Sequence, residues 1–189
     1  AITIHMNTEV KDIASLGADE VIVATGAVAN KIPLKGAEKA IEAVDFLLDN
    51  SLAGDNVVVV GGGLTGCEIA YELYLQGKKP VIVEMQDGLI TTPGVALANT
   101  SYLRDFFKTN KVPVYLESKT TEIRDNGVTI ATKDGKTIDV KADNVILSVG
   151  YRPAPLAEKS KHVHVIGDAN KVGNLRTVIW GAWDVAMKL

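Results

Sequence analysis

Residues 57–84, VVVVGGGLTGCEIAYELYLQGKKPVIVE, hold the pattern on which the reading of the whole chain depends. Val57–Val60 is too short for a helix and entirely β-branched, so it fits a strand buried on both faces. Glycines follow at once. Gly61, Gly63 and Gly66 give the G-x-G-x-x-G spacing, in which the first permits a tight turn, the second lets a pyrophosphate approach the backbone, and the third lets helix and strand pack closely. The amides of the helix start at Leu64 and Thr65 then face the phosphates. Glu84 lies 21 positions after Gly63, where a carboxylate ending the second strand can accept hydrogen bonds from an adenosine ribose. Strand, turn, helix, second strand and acid in this order point to a dinucleotide.

The composition narrows the partners. A chain of 189 residues that is 47% hydrophobic can bury a core. Its net charge of -3 offers no basic field to nucleic acid or an acidic membrane, and no long apolar run spans a bilayer, so a cytoplasmic, soluble protein is expected. A lone cysteine, Cys67, leaves nothing for an internal disulfide or a self-contained iron–sulfur cluster. The start, AITIHMNTEV, lacks a basic leader and an initiator Met and reads as cut from something longer.

Along the chain, 2–6 is expected as a strand and 8–16 as a short helix ending at Gly17. Residues 18–26, ADEVIVATG, read as an acidic turn and a buried strand that halts at glycine. Apolar residues at Ile41, Val44, Leu47 and Leu48 give 40–50 helical spacing, and Leu103, Phe106 and Phe107 do so for 96–109. Residues 112–116 read as the third strand of a parallel sheet. Asn126-Gly127 and Asp134-Gly135 between alternating segments predict a three-stranded antiparallel meander over 121–140, and 144–149 returns to a buried strand.

An internal repeat sets the organisation. ADEVIVATG at 18–26 matches ADNVILSVG at 142–150 in Ala, Asp, Val, Ile and Gly. Gly61 precedes Ala142 by 81 residues, so a matching turn for Ala18 would lie outside this chain. The expectation is an α/β chain: a Rossmann-like NAD(P)-binding domain over 51–150, with partial segments of a second dinucleotide domain over 1–50 and 151–189. In the last segment VHVIGDAN is a strand stopping at Gly167-Asp168, and Gly173-Asn174 precedes a helix. A carboxylate there suits either a ribityl hydroxyl or an ordinary Asp cap.

GGGLTGCEIA, the twin glycine-ended strands and VIGDA together resemble the two-dinucleotide-domain flavoprotein reductases of the pyridine-nucleotide-disulfide oxidoreductase superfamily. The wording is most similar to the carboxy-terminal part of 2-enoate reductase and 2,4-dienoyl-CoA reductase, NADH:flavin oxidoreductases that also carry an old-yellow-enzyme barrel. The resemblance implies an NADH-binding domain inserted into an FAD-binding domain, with hydride passing from NADH to FAD. FMN and an iron–sulfur cluster are then expected in regions outside this chain, and the remaining FAD domain and the barrel are the expected partners. It further implies that Gly61, Gly62, Gly63, Leu64, Thr65 and Gly66 hold the NADH pyrophosphate, that Glu84 and Met85 meet the adenosine ribose, that Glu68 sits on the nicotinamide side, and that Val149, Gly150 and Tyr151 line the nicotinamide channel. For FAD it implies Thr25 and Gly26 near the crossover, Gly167 and Asp168 at the ribityl chain, and Arg176 and Thr177 at the helix aimed at the flavin ring. The absent FAD turn, barrel and cluster cysteines imply that the sequence as given does not turn over an enoate. No C-x-x-x-x-C pair is present, which separates it from the disulfide reductases. The link 155–162 is short for the family.

No catalytic side chain and no metal ligands are expected. Hydride transfer between stacked rings needs proximity and orientation more than a side-chain acid. His5, His162 and His164 lack metal-ligand spacing, and Cys67 reads as a small packing residue on the helix flank. Glu84 is followed by Met85, Gln86, Asp87 and Gly88, with no cation for a 2′-phosphate, which predicts NADH over NADPH. A non-catalytic nucleotide-binding or regulatory module remains the alternative. A methyltransferase shares the glycine turn and the ribose acid, but the meander and the Gly-Asp ending count against it.

Overall fold

The computed structural model describes residues 2–189 and divides into two compact units, one of residues up to Asn30 together with Tyr151–Leu189, the other Lys31–Gly150. In the first, the strand expected at 2–6 does not form. Ile2 and Ile4 are 93% and 74% exposed, and among the described residues no neighbouring strand supplies a ladder of hydrogen bonds. The helix expected at 8–16 shrinks to a 3-10 turn, Ile13–Leu16, capped by the Asp12 carboxylate and ended by Gly17 at φ 59°. So short a segment does not repay the cost of helix nucleation. β1 (Val21–Val23) runs parallel to the segment Val163–Val165; it buries Val23 but leaves Ile22 about half exposed, so it is less enclosed than its sequence suggests. β2 (Ala27–Ala29) follows Gly26 and pairs antiparallel with Tyr151–Pro153.

The second unit holds a five-stranded parallel sheet. Its elements in chain order are β3 (Ile41–Glu42), α1 (Ala43–Leu48), β4 (Asn56–Val60), α2 (Leu64–Leu75), β5 (Lys79–Val83), α3 (Leu97–Thr109), β6 (Val114–Tyr115), the strands β7 (Ser118–Arg124), β8 (Gly127–Thr132) and β9 (Thr137–Lys141), and β10 (Asn144–Leu147). The sheet order is β3-β10-β4-β5-β6, and β7-β8-β9 form the antiparallel meander. The helix expected over 40–50 is shorter because Ile41 and Glu42 pair with Ile146 and Leu147 as an edge strand. Phe46 in α1 is fully buried in the core of this unit.

The all-valine strand is explained by what covers it. Val57 and Val59 pack with Phe46, Ile69, Leu73, Leu103 and Phe107 of the three helices, whereas Val58 and Val60 pack with Ile123, Val128 and Ile130 of the meander. Successive side chains of a strand point to opposite faces, and both faces are covered. Each fully buried Val or Ile side chain contributes roughly 1.5–3 kcal/mol of transfer free energy.

The first unit is completed by β11 (Tyr151–Pro153), β12 (Val163–Val165) and α4 (Leu175–Ala186). Asn174 and Thr177 form a reciprocal capping box at the start of α4.

Candidate functional site

The three glycines differ in their surroundings, and the differences define the site. Gly61 follows β4 at φ 108°, a left-handed value that favours glycine, and a Cβ there would meet the Ser148 carbonyl oxygen at 2.1 Å. A Cβ on Gly66 would lie 2.0 Å from the Gly61 carbonyl oxygen, so this position permits α2 to pack against the turn. Gly63, the N-cap of α2, has no protein atom within 4 Å of the position a Cβ would take. Its open face leaves room for a ligand at the backbone. The first intrahelical bond of α2 runs from the Cys67 amide to the Gly63 carbonyl at 3.0 Å, leaving the preceding amides without acceptors in the helix. These features fit a bound pyrophosphate.

A cleft of about 630 Å³ opens at the carboxyl ends of β4, β5 and β10. Of the residues predicted for NADH, Gly61, Gly63, Glu84, Met85, Val149 and Gly150 line it. Gly62 lies buried behind it, Leu64 and Thr65 form the first turn of α2, and Glu68 is exposed on that helix without reaching the lining. Tyr151 belongs to the other unit, in β11.

Glu84 is 9% exposed, and its carboxylate already has work within the protein: Oε2 accepts the Gly62 amide at 2.6 Å and Oε1 the Gln86 amide at 2.7 Å. A carboxylate has about four lone-pair directions, so acceptor capacity remains for a ligand hydroxyl. The strand end that carries it is fixed on its other edge, where the Glu84 amide donates to Tyr115 and its carbonyl accepts from Ser118.

Two walls of the cleft were not apparent from sequence. One is Ser118–Thr121, at the start of β7, where a register shift between Thr120 and Glu122 leaves Thr121 as an extra residue bonding the Thr129 carbonyl. The Thr120 hydroxyl is buried there without a hydrogen-bond partner among the described residues. Lys119 brings a cation into the lining from a position remote in sequence from Glu84. The other wall is Ile32–Leu34, held beside β7 by the Ile123 amide donating to Lys35. Only tertiary pairing reveals either wall.

The residues predicted for FAD all lie in the unit that contains β1 and α4. Thr25 donates its hydroxyl to the Ala154 carbonyl at 2.7 Å, and Gly26 takes φ 79°, close to the 86° of its repeat counterpart Gly150. Asp168, after β12, accepts the Gly173 amide at 3.0 Å, and Gly167 takes φ 58°. Arg176 occupies the first turn of α4, and Thr177 is engaged in its capping box. Burial pushes the Cys67 thiol up to about 12, the nearby Glu84 charge adding to the effect, so the thiol stays protonated at neutral pH and unreactive. Among the described residues no cluster of three or more His, Cys, Asp or Glu is arranged to hold a metal ion, and no helix is long and apolar enough to cross a membrane.

Comparison with known proteins agrees with this architecture. The chain is 35% identical over 198 residues to a cinnamate reductase of Clostridium sporogenes, covering 100% of this chain and 29% of that protein. It is 33% identical to an NADH oxidase of Thermoanaerobacter brockii, covering 97% of this chain and 30% of the oxidase. A 2-naphthoyl-CoA reductase in complex with 2-naphthoyl-CoA superposes with a TM-score of 0.79 at 25% identity, covering 90% of this chain and 27% of that one. The chain thus spans about three-tenths of the length of these relatives. Residues 2–179 match the model of the pyridine nucleotide-disulphide oxidoreductases, and with the parallel sheet, meander and glycine turn in place, the chain belongs to that family.

Proposed function

We propose that this chain supplies the NADH-binding portion of a flavin-dependent oxidoreductase that reduces an enoate or enoyl thioester. The observation that carries this reading is the open face of Gly63 in a cleft that also holds the Glu84 carboxylate. Bound NADH would supply hydride to an FAD held by the other unit. In the cleft, Gly61–Gly66 present the turn and the helix start to the pyrophosphate, Glu84 accepts from the adenosine ribose, and Val149 and Gly150 border the nicotinamide. In the other unit, Thr25, Gly26, Gly167, Asp168, Arg176 and Thr177 serve the flavin. The names of the cinnamate reductase and the 2-naphthoyl-CoA reductase support an unsaturated acid or thioester as the final acceptor.

Glu84 also sets the choice of nucleotide, because a carboxylate repels a 2′-phosphate. Lys119 in the same lining would favour that phosphate, so discrimination rests on Glu84. Calorimetric titration of the full chain should show NADH bound more tightly than NADPH and FAD bound weakly. Glu84→Ala should raise the NADH dissociation constant by roughly 10- to 100-fold and that of NADPH less. Equal losses for both nucleotides would refute the ribose role.

A further inference from the structure

The phosphate turn is held from behind by a residue that does not line the cleft. Gly62 is fixed on both sides of its peptide: Glu84 accepts its amide, while its carbonyl accepts the Ile90 amide at 2.8 Å and the Cys67 thiol at 3.4 Å. Ile90 reaches this position at φ 52°, a left-handed conformation that a β-branched residue adopts only when its surroundings impose it. Arg104 on α3 braces this segment. Its Nε donates to the Leu89 carbonyl and its Nη2 to the Ile90 carbonyl, both at 2.9 Å. The planar guanidinium fork thereby ties two successive carbonyls and fixes the peptide between them. Leu89 is buried against the turn, its Cδ2 only 2.5 Å from where a Gly62 Cβ would stand, so the loop and the turn have no slack between them.

We propose that Arg104 is a positioning residue for the phosphate turn: through Leu89 and Ile90 it fixes Gly62, and so sets the affinity of the cleft for the pyrophosphate of a dinucleotide. The proposal rests on the NADH reading above. Its physical basis is preorganisation. With the fork in place the turn is ordered before the ligand arrives, and without it the strained Ile90 relaxes and binding must restore the turn.

The test uses the full chain with Arg104→Met, which keeps the aliphatic stem and removes the donors, and Arg104→Lys, whose single ammonium restores part of the donation. NADH titration is paired with amide hydrogen exchange read by NMR. Arg104→Met should weaken NADH binding about tenfold. Amide exchange at Gly62 and Ile90 should accelerate while that of Val58 and Val59 in the core stays unchanged. Arg104→Lys should fall between the two. Unaltered NADH affinity in Arg104→Met would overturn the proposal, as would a loss accompanied by equal acceleration throughout β4. Failure of the unaltered chain to bind NADH would instead refute the nucleotide reading, and the positioning role with it.

Discussion

Gly63 and Gly66 stand three residues apart in one motif and do opposite things. Gly66 is closed in by the Gly61 carbonyl, so Gly66→Ala drives a methyl against that backbone oxygen and should destabilise the fold by roughly 3 kcal/mol, read as a shift of the urea midpoint. Gly63 sits at φ -68°, ψ -176°, extended backbone that alanine adopts freely, with no protein atom for a methyl to strike. Gly63→Ala should therefore leave the unfolding midpoint within a degree or two of the parent, yet raise the NADH dissociation constant by about tenfold or more, because the methyl occupies the path of the phosphate. Undiminished NADH binding in that variant would remove the pyrophosphate from this turn. Glu84 illustrates a different economy. The carboxylate expected at a ribose also holds the turn together, so its removal acts on ligand and loop at once.

At the level of elements, the entry to the central strand is pinned by one carboxylate. Asp143 Oδ2 accepts both the backbone amide of Asn56 at 2.8 Å and its side-chain amide at 2.9 Å, tying the start of β4 to the start of β10. These bonds favour the ionised form and hold the Asp143 carboxyl below its ordinary value of 3.8. A carboxylate depressed in the folded state contributes stability that is complete above the unfolded value and is lost as pH falls through the folded one. Asp143→Ala should thus be less stable than the parent at pH 7, and the gap should narrow below pH 3.8 in urea titrations. A gap that persists unchanged at low pH would assign the loss to packing.

The sequence declared its parallel core because periodicity, glycine spacing and turn dipeptides are local signals: Val57–Val60, Asn126-Gly127 and Asp134-Gly135 each carry their own instruction. The errors fell where local preference had no tertiary partner or the wrong one. Ile2–Met6 alternates like a strand but finds no ladder, and Ile41 joins a sheet edge although its spacing is helical. The glycine turn and Glu84 were legible as a candidate site. Lys119 and Ile32–Leu34 in its walls, and Arg104 behind it, were not, because strand register and helix packing bring them together over sequence distances that no motif spans.

Across the whole molecule, the chain enters and leaves the Lys31–Gly150 unit once, so the strands of the other unit pair residues far apart in sequence, Val21 with Val163 and Ala29 with Tyr151. Such pairings depend on long loop closure and form late when folding rates follow contact order. That unit also carries α4, whose Leu175, Ile179, Trp180 and Trp183 are all more than half exposed. Both tryptophans of the sequence are on this one helix, so the protein has an optical label on a single element. Its intrinsic emission should be that of water-exposed indole and be readily quenched by acrylamide, at 60% and 57% exposure for Trp180 and Trp183. Blue-shifted emission protected from the quencher would reveal that the apolar side of α4 is covered in solution. Any protein segment that docks on this helix would then announce itself by a change of colour before its identity is known.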